Sequence, residues 1–119
     1  MNSRCPVYKV LNAVGKKWAL IIITEIYKGS EKWKHYSQIK DKIKDITPKM
    51  MSRRLKELEK EKIIKKKIDI KHFPISTEYS LTDRGEELVE IIKEMRIWGL
   101  KWKIKNEYCE SVDCRDCEL

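Results

Sequence analysis

The dipeptide Thr47-Pro48 constrains the fold more than any other short segment, because it opens a helix with two complementary signals. A threonine side chain accepts hydrogen bonds from the first free amides of a helix, and proline is pre-set for the first helical position. Apolar residues then recur at Met51, Leu55 and Leu58, one narrow stripe, while Lys49, Ser52, Arg53 and Lys56 fall on the opposite face. A helix over residues 47–60 with one buried edge and a cationic outer face is therefore predicted. After Lys62 the period changes from helical to extended. Ile64, Ile68 and Ile70 lie in a lysine-rich run, Pro74 interrupts, and Thr77 to Leu81 follow with the β-formers Thr77 and Tyr79. These features predict a two-stranded hairpin with a basic tip.

Upstream, Val7, Val10, Leu11 and Val14 recur at helical spacing and stop at Gly15, which predicts a short first helix. Lys17 to Tyr27 is apolar on most sides, with Trp18, Leu20, Ile21, Ile22, Ile23 and Ile26, and closes at Gly29 and Ser30. Such a helix belongs at the centre of a core. Tyr36, Ile39 and Ile43 mark a third short helix with Ser37 as its candidate N-cap. Thr82-Asp83 caps a last long helix whose stripe is Leu88, Ile91, Ile92, Met95, Trp98 and Trp102. A chain of 119 residues supports one core. It has too little interior to hide a second aromatic stripe, so a self-complementary contact is expected to bury it. The expected dimer interface joins Val7, Val10 and Leu11 to Ile91, Ile92, Met95, Trp98 and Trp102. The fold class is mainly α with a small β-hairpin wing, a winged helix-turn-helix dimerised through its first and last helices.

Charge narrows the partners. The chain carries 27 Lys and Arg against 19 Asp and Glu. Residues 106–119 hold five of the acids and one base, which leaves 26 bases and 14 acids, a net +12, on residues 1–105. A winged-helix and dimerisation domain over residues 1–105, followed by an acidic, Cys-containing tail over 106–119, is expected. A polycationic body suits an anionic partner, and double-stranded DNA fits the helix order. The longest apolar run, Ala19 to Ile23, is far below the roughly 18 to 20 residues of a membrane helix, and Met1 to Val10 has no hydrophobic leader segment. A cytoplasmic protein with no membrane partner is expected. No enzyme is expected either: His35 and His72 have no obvious nucleophile partner and no glycine-rich phosphate loop exists.

In a winged helix-turn-helix the second helix of the turn enters the major groove and the wing lies beside the backbone. The recognition helix is then residues 47–60, opened by Thr47, with Lys49 and Arg53 donating to guanine edges or phosphates, Ser52 bonding either base type and Lys56 reaching phosphate. The basic wing at 65–76 adds Lys65, Lys66, Lys67, Lys71 and His72 along the phosphates. A sequence-specific regulator is the principal reading. A sequence-indifferent, chromatin-like DNA coat is the alternative that the lysine excess permits.

Four stretches also carry a family resemblance. Cys5-Pro6 precedes a short helix, Gly15-Lys16-Lys17-Trp18 opens an aliphatic one, and two longer runs follow. These are Ile46-Thr47-Pro48-Lys49-Met50-Met51-Ser52-Arg53-Arg54-Leu55-Lys56-Glu57-Leu58-Glu59 and Glu78-Tyr79-Ser80-Leu81-Thr82-Asp83-Arg84-Gly85. Together, over roughly Cys5 to Gly99, they resemble the HxlR-type regulators. The resemblance implies a prokaryotic winged-helix transcription factor that dimerises through its first and last helices. It implies an Arg in the wing shortly before the Glu-Tyr pair, where this chain has Ser76, with Lys71 or His72 as substitutes. It further implies redox or electrophile sensing through a Cys near the N-terminus, matched here by Cys5, for which burial in a dimer contact is the competing reading. Trp18, Trp98 and Trp102 could line a small-molecule pocket between protomers, although aromatics at this spacing more often form core or interface.

The tail is outside that pattern and holds Cys109, Cys114 and Cys117 in a C-x4-C-x2-C run. The close pair has the spacing with which a turn presents two thiolates to one metal, and Cys5 is the candidate fourth ligand. Zinc is the default for four thiolates, and an iron-sulfur cluster shares the spacing. Disulfides and free thiols are the other two readings of the same residues.

Overall fold

The computed structural model describes residues 2–102 and 106–119. Helices α1 (Pro6–Val14) and α2 (Ala19–Tyr27) are followed by a short strand β1 (Lys34–His35) and helices α3 (Tyr36–Lys42) and α4 (Pro48–Lys60). Strands β2 (Ile64–Asp69) and β3 (Ser76–Leu81) form the wing, α5 (Asp83–Trp102) is the long helix, and α6 (Glu107–Ser111) with a 3₁₀ turn at Cys114–Asp116 forms the tail.

The Thr47 cap forms as its chemistry requires, its side chain accepting from the Met50 amide with Pro48 in the first helical turn. Met51, Leu55 and Leu58 are buried against Ile22, Ile23 and Ile26 of α2, Ile39 of α3 and Ile64, Tyr79 and Leu81 of the sheet. The aliphatic helix α2 is the hub, as a segment apolar on most sides predicts, with α3, α4, α5 and β3 packed around it.

Three details differ from expectation. α2 starts at Ala19 rather than Lys17, because Trp18 at its N-cap takes a left-handed backbone, φ 80°. Ser37 lies within α3, whose N-cap is His35, with Gln38 Oε1 accepting from the His35 amide at 2.8 Å. The wing is a three-stranded antiparallel sheet in the order β1-β3-β2, not an isolated hairpin. Lys34 pairs with Tyr79 and His35 with Glu78, while β2 pairs with β3 from Ile64 opposite Leu81 to Asp69 opposite Ser76. A third strand on an otherwise marginal hairpin ties the wing to the helical core.

Where α5 leaves the sheet, the Thr82 hydroxyl lies 2.6 Å from the Lys62 carbonyl and accepts from the Gly85 amide at 3.1 Å. The α5 backbone there passes close to Ile63. A Cβ on Gly85 would meet the Ile63 carbonyl oxygen at 2.2 Å and Leu81 Cδ2 at 3.2 Å. Gly85→Ala is therefore expected to lose about 1 to 3 kcal/mol through overpacking against backbone that cannot retreat. Urea denaturation checks it, and a midpoint equal to that of the parent chain would show that α5 can shift without cost.

The tail is folded back over α5 and the end of α2. Arg96 of α5 donates to Cys109 Sγ at 3.1 Å, to the Cys109 carbonyl and to the Val112 carbonyl at 3.1 Å. The Gly29 amide donates to the Arg115 carbonyl at 2.7 Å, and the Arg115 guanidinium sits 4.2 Å from the Tyr27 ring centroid. The expected boundary between residues 105 and 106 abuts residues 103–105, which lie outside the described ones.

Candidate nucleic-acid interface

The outer face of α4 presents Lys49, Ser52, Arg53 and Lys56, all exposed, with Thr47 exposed at the helix start. Their neighbour Arg54 points elsewhere. Its Nε donates to the Lys17 carbonyl at 2.9 Å and its guanidinium to Glu57 at 2.7 Å, and Glu57 also takes Lys16. Lys16 first, then Arg54, hold the Glu57 carboxyl below the usual carboxylate range. This clamp joins the Gly15-Trp18 turn to α4 and orients its outer face, so two motifs far apart in sequence serve one geometry.

The wing supplies Lys66, loosely paired with Glu59 at 3.8 Å, and the exposed Lys71 and His72. His72 Nδ1 lies 3.0 Å from Asp69 Oδ2. Burial acts to raise Asp69, yet the His72 hydrogen bond and the Lys71 amide keep its carboxyl below the ordinary value. The tip is not basic alone: Ile70, Phe73 and Ile75 are exposed beside Lys71 and His72. Sequence reasoning missed Trp33, whose ring has Lys67 at 4.3 Å and Lys65 at 5.6 Å from its centroid. Stacking on an aromatic face directs these two lysines along the sheet. The signal available was only a tryptophan one residue before a strand too short to recognise.

The expected interface residues Val7, Val10 and Leu11 of α1 and Ile91, Met95, Trp98 and Trp102 of α5 are each at least half exposed, whereas Ile92 is partly buried against the core. The four cysteines are free and half-buried. Cys5 stands at the N-cap of α1, and Cys114 packs on the core near the Arg96 that binds Cys109. Among the described residues, the only group of three His, Cys, Asp or Glu with ligand atoms within 4.8 Å of one another is His35, Asp69 and Glu78. The thiols are not drawn into such a group.

Helices α3 and α4 with a three-stranded wing make a winged helix-turn-helix. Residues 13–107 match the model of the HxlR-like helix-turn-helix family. The chain belongs to that family. The HTH-type transcriptional regulator YdzF of Bacillus subtilis is 39% identical over 105 residues, 84% of this chain and 94% of YdzF. The crystal structure of a MarR-family transcriptional regulator from Porphyromonas gingivalis superposes with a TM-score of 0.76 at 34% identity, covering 86% of this chain and 96% of that one. The oxidized form of the redox regulator HypR superposes with a TM-score of 0.69 at 29% identity, covering 84% and 99%. The chain is thus a transcriptional regulator of winged helix-turn-helix type, in a family of regulators rather than enzymes. Among the described residues, no helix is long and apolar enough to cross a membrane.

Proposed function

We propose that this HxlR-type regulator acts in the cytoplasm as a homodimer that binds DNA sequence-specifically, with α4 in the major groove and the wing residues 65–76 along the adjacent backbone. The observation that carries this reading is the division of α4. Met51, Leu55 and Leu58 are buried while Lys49, Ser52, Arg53 and Lys56 are exposed on the other side, and Arg54 fastens the helix between them. Arg53 and Lys49 read base edges or phosphate, Ser52 bonds either base type, and Lys56, Lys66, Lys71 and His72 contact phosphate. The α1 and α5 residues Val7, Val10, Leu11, Ile91, Ile92, Met95, Trp98 and Trp102 form the twofold contact, and the exposure of all of them except the partly buried Ile92 supports it. Residues 1–105 make the DNA-binding and dimerisation unit, and 106–119 the acidic tail.

Cys5 is proposed as the redox-responsive group, which its half-exposed place at the start of α1 and the likeness to HypR support. A zinc ion or iron-sulfur cluster on Cys5, Cys109, Cys114 and Cys117 is the alternative role for these thiols, of which Cys109 accepts from Arg96 in the structure.

Selection of bound fragments from random DNA tests the proposal. Pseudo-palindromic sites with half-sites about one helical turn apart are expected. Binding to such a site should exceed binding to random DNA by about a thousandfold or more. Equal affinity for every fragment would support the chromatin-like reading instead.

A further inference from the structure

Strand pairing places β3 between β1 and β2, and the register sets His35 opposite Glu78 and Asp69 opposite Ser76. Side chains alternate along a strand, so Glu78 and Ser76 share one face of β3, and His35 and Asp69 join them there as cross-strand neighbours. The result is a convergence that residues 35, 69 and 78 do not announce in sequence. His35 Nε2 is 3.5 Å from Glu78 Oε1, and ligand atoms of His35, Asp69 and Glu78 all lie within 4.8 Å of one another.

We propose that the root of the wing is a binding site for a divalent first-row transition-metal ion, with His35 Nε2 and one carboxylate oxygen each from Glu78 and Asp69 as ligands. Two ligands each about 2.1 Å from a metal stand about 3.0 to 3.4 Å apart at octahedral or tetrahedral angles. The His35–Glu78 pair is already close to that separation, and side-chain rotation brings Asp69 to it.

The outer partners are those a metal site uses. Ser76 Oγ, 2.9 Å from His35 Nδ1, can accept its proton, which fixes the ring and leaves a lone pair on Nε2. Asp69 is held from behind, Oδ1 accepting from the Lys71 amide and Oδ2 facing His72 Nδ1, each at 3.0 Å, with lone pairs left for a metal. The three side chains are 34%, 9% and 16% exposed for His35, Asp69 and Glu78, so the carboxylates are shielded while the imidazole faces the approach. One imidazole with two carboxylates suits zinc, manganese or ferrous iron better than calcium or magnesium, which favour all-oxygen shells. Three protein ligands leave positions for water, the arrangement of an exchangeable ion rather than a structural one.

Lys67 Nζ, 3.7 Å from Glu78 Oε2, is the cation that now balances the site, and it must swing aside when the metal enters. Lys67 already lies over Trp33, which gives it a place to go. Binding would add two positive charges to a wing whose only acids facing this site are Glu78 and Asp69. On the DNA-binding reading above, the ion then strengthens the wing's hold on phosphate.

The test uses the full chain without DNA, so its outcome is independent of whether DNA is the partner. Titration with Co²⁺ alone is expected to give one equivalent per chain with weak visible bands of nitrogen and oxygen ligation and no thiolate charge-transfer band. His35→Ala and Glu78→Gln are each expected to weaken binding at least tenfold, and Cys114→Ser to leave it unchanged. As a second measurement on the unsubstituted chain, Mn²⁺ is expected to broaden the His35 ring resonances first. A thiolate band, unchanged Co²⁺ binding in both folded variants, or His35 signals that stay sharp while others broaden would overturn the proposal.

Discussion

Charge placed on the exposed stripe of α5, Ile91→Glu together with Met95→Glu, is expected to convert the protein into a folded monomer whose affinity for a palindromic site falls by about a hundredfold or more. The expectation follows from where these side chains stand. Ile91 is 59% and Met95 52% exposed, so neither supports the core, and substitution leaves the Ile22, Met51 and Leu55 packing untouched. In a twofold contact each residue meets the partner's surface near its own symmetry mate, so the new carboxylates face one another across apolar surface. Their repulsion and desolvation oppose association, while the monomer bears little cost. Losing one protomer removes the linked second half-site, which is where most of the affinity of a dimer for a palindrome arises. Sedimentation equilibrium and binding to full and half-sites measure both consequences. A variant that remains dimeric at micromolar concentration would move the interface away from α5.

The features legible in the sequence are those encoded locally and reinforced at several positions. Thr47, Pro48 and the Met51, Leu55, Leu58 stripe agree about α4, and the structure has the same helix with the same cap. The run of apolar residues on most sides of 19–27 identifies the hub, because only a narrow side, with Ile21, Thr24 and Glu25, is left for solvent. What escaped detection depends on pairing at a distance. β1 is two residues long, too short for any period, and exists because β3 offers it a free edge. Trp18 caps α2 in a left-handed conformation that no propensity for tryptophan suggests. His35 reads as an isolated histidine until the sheet register sets it opposite Glu78. The ordered structure of the tail is not legible in the sequence because it comes from Arg96 and Gly29, contacts made by residues 13 and 86 positions away.

The adjacent arginines of α4 should separate base reading from scaffold. Arg53 is exposed at the centre of the outer face and makes no hydrogen bond or ion pair among the described residues, whereas Arg54 is tied to Lys17 and Glu57. Arg53→Ala is expected to cost about 1 to 3 kcal/mol on the selected site, to relax base preference at one position in each half-site, and to leave thermal stability unchanged. Lys66→Ala should behave differently, weakening selected and random DNA alike and flattening the salt dependence by about one unit, because a lysine on phosphate carries no sequence information. Its pairing with Glu59 at 3.8 Å is solvent-exposed and contributes little, so that loss reports on DNA rather than folding. Affinities for the selected site and for random duplex across a salt series distinguish the two variants. Equal losses on both DNAs for Arg53→Ala would mean that α4 lies along the backbone and that the bases are read by another element.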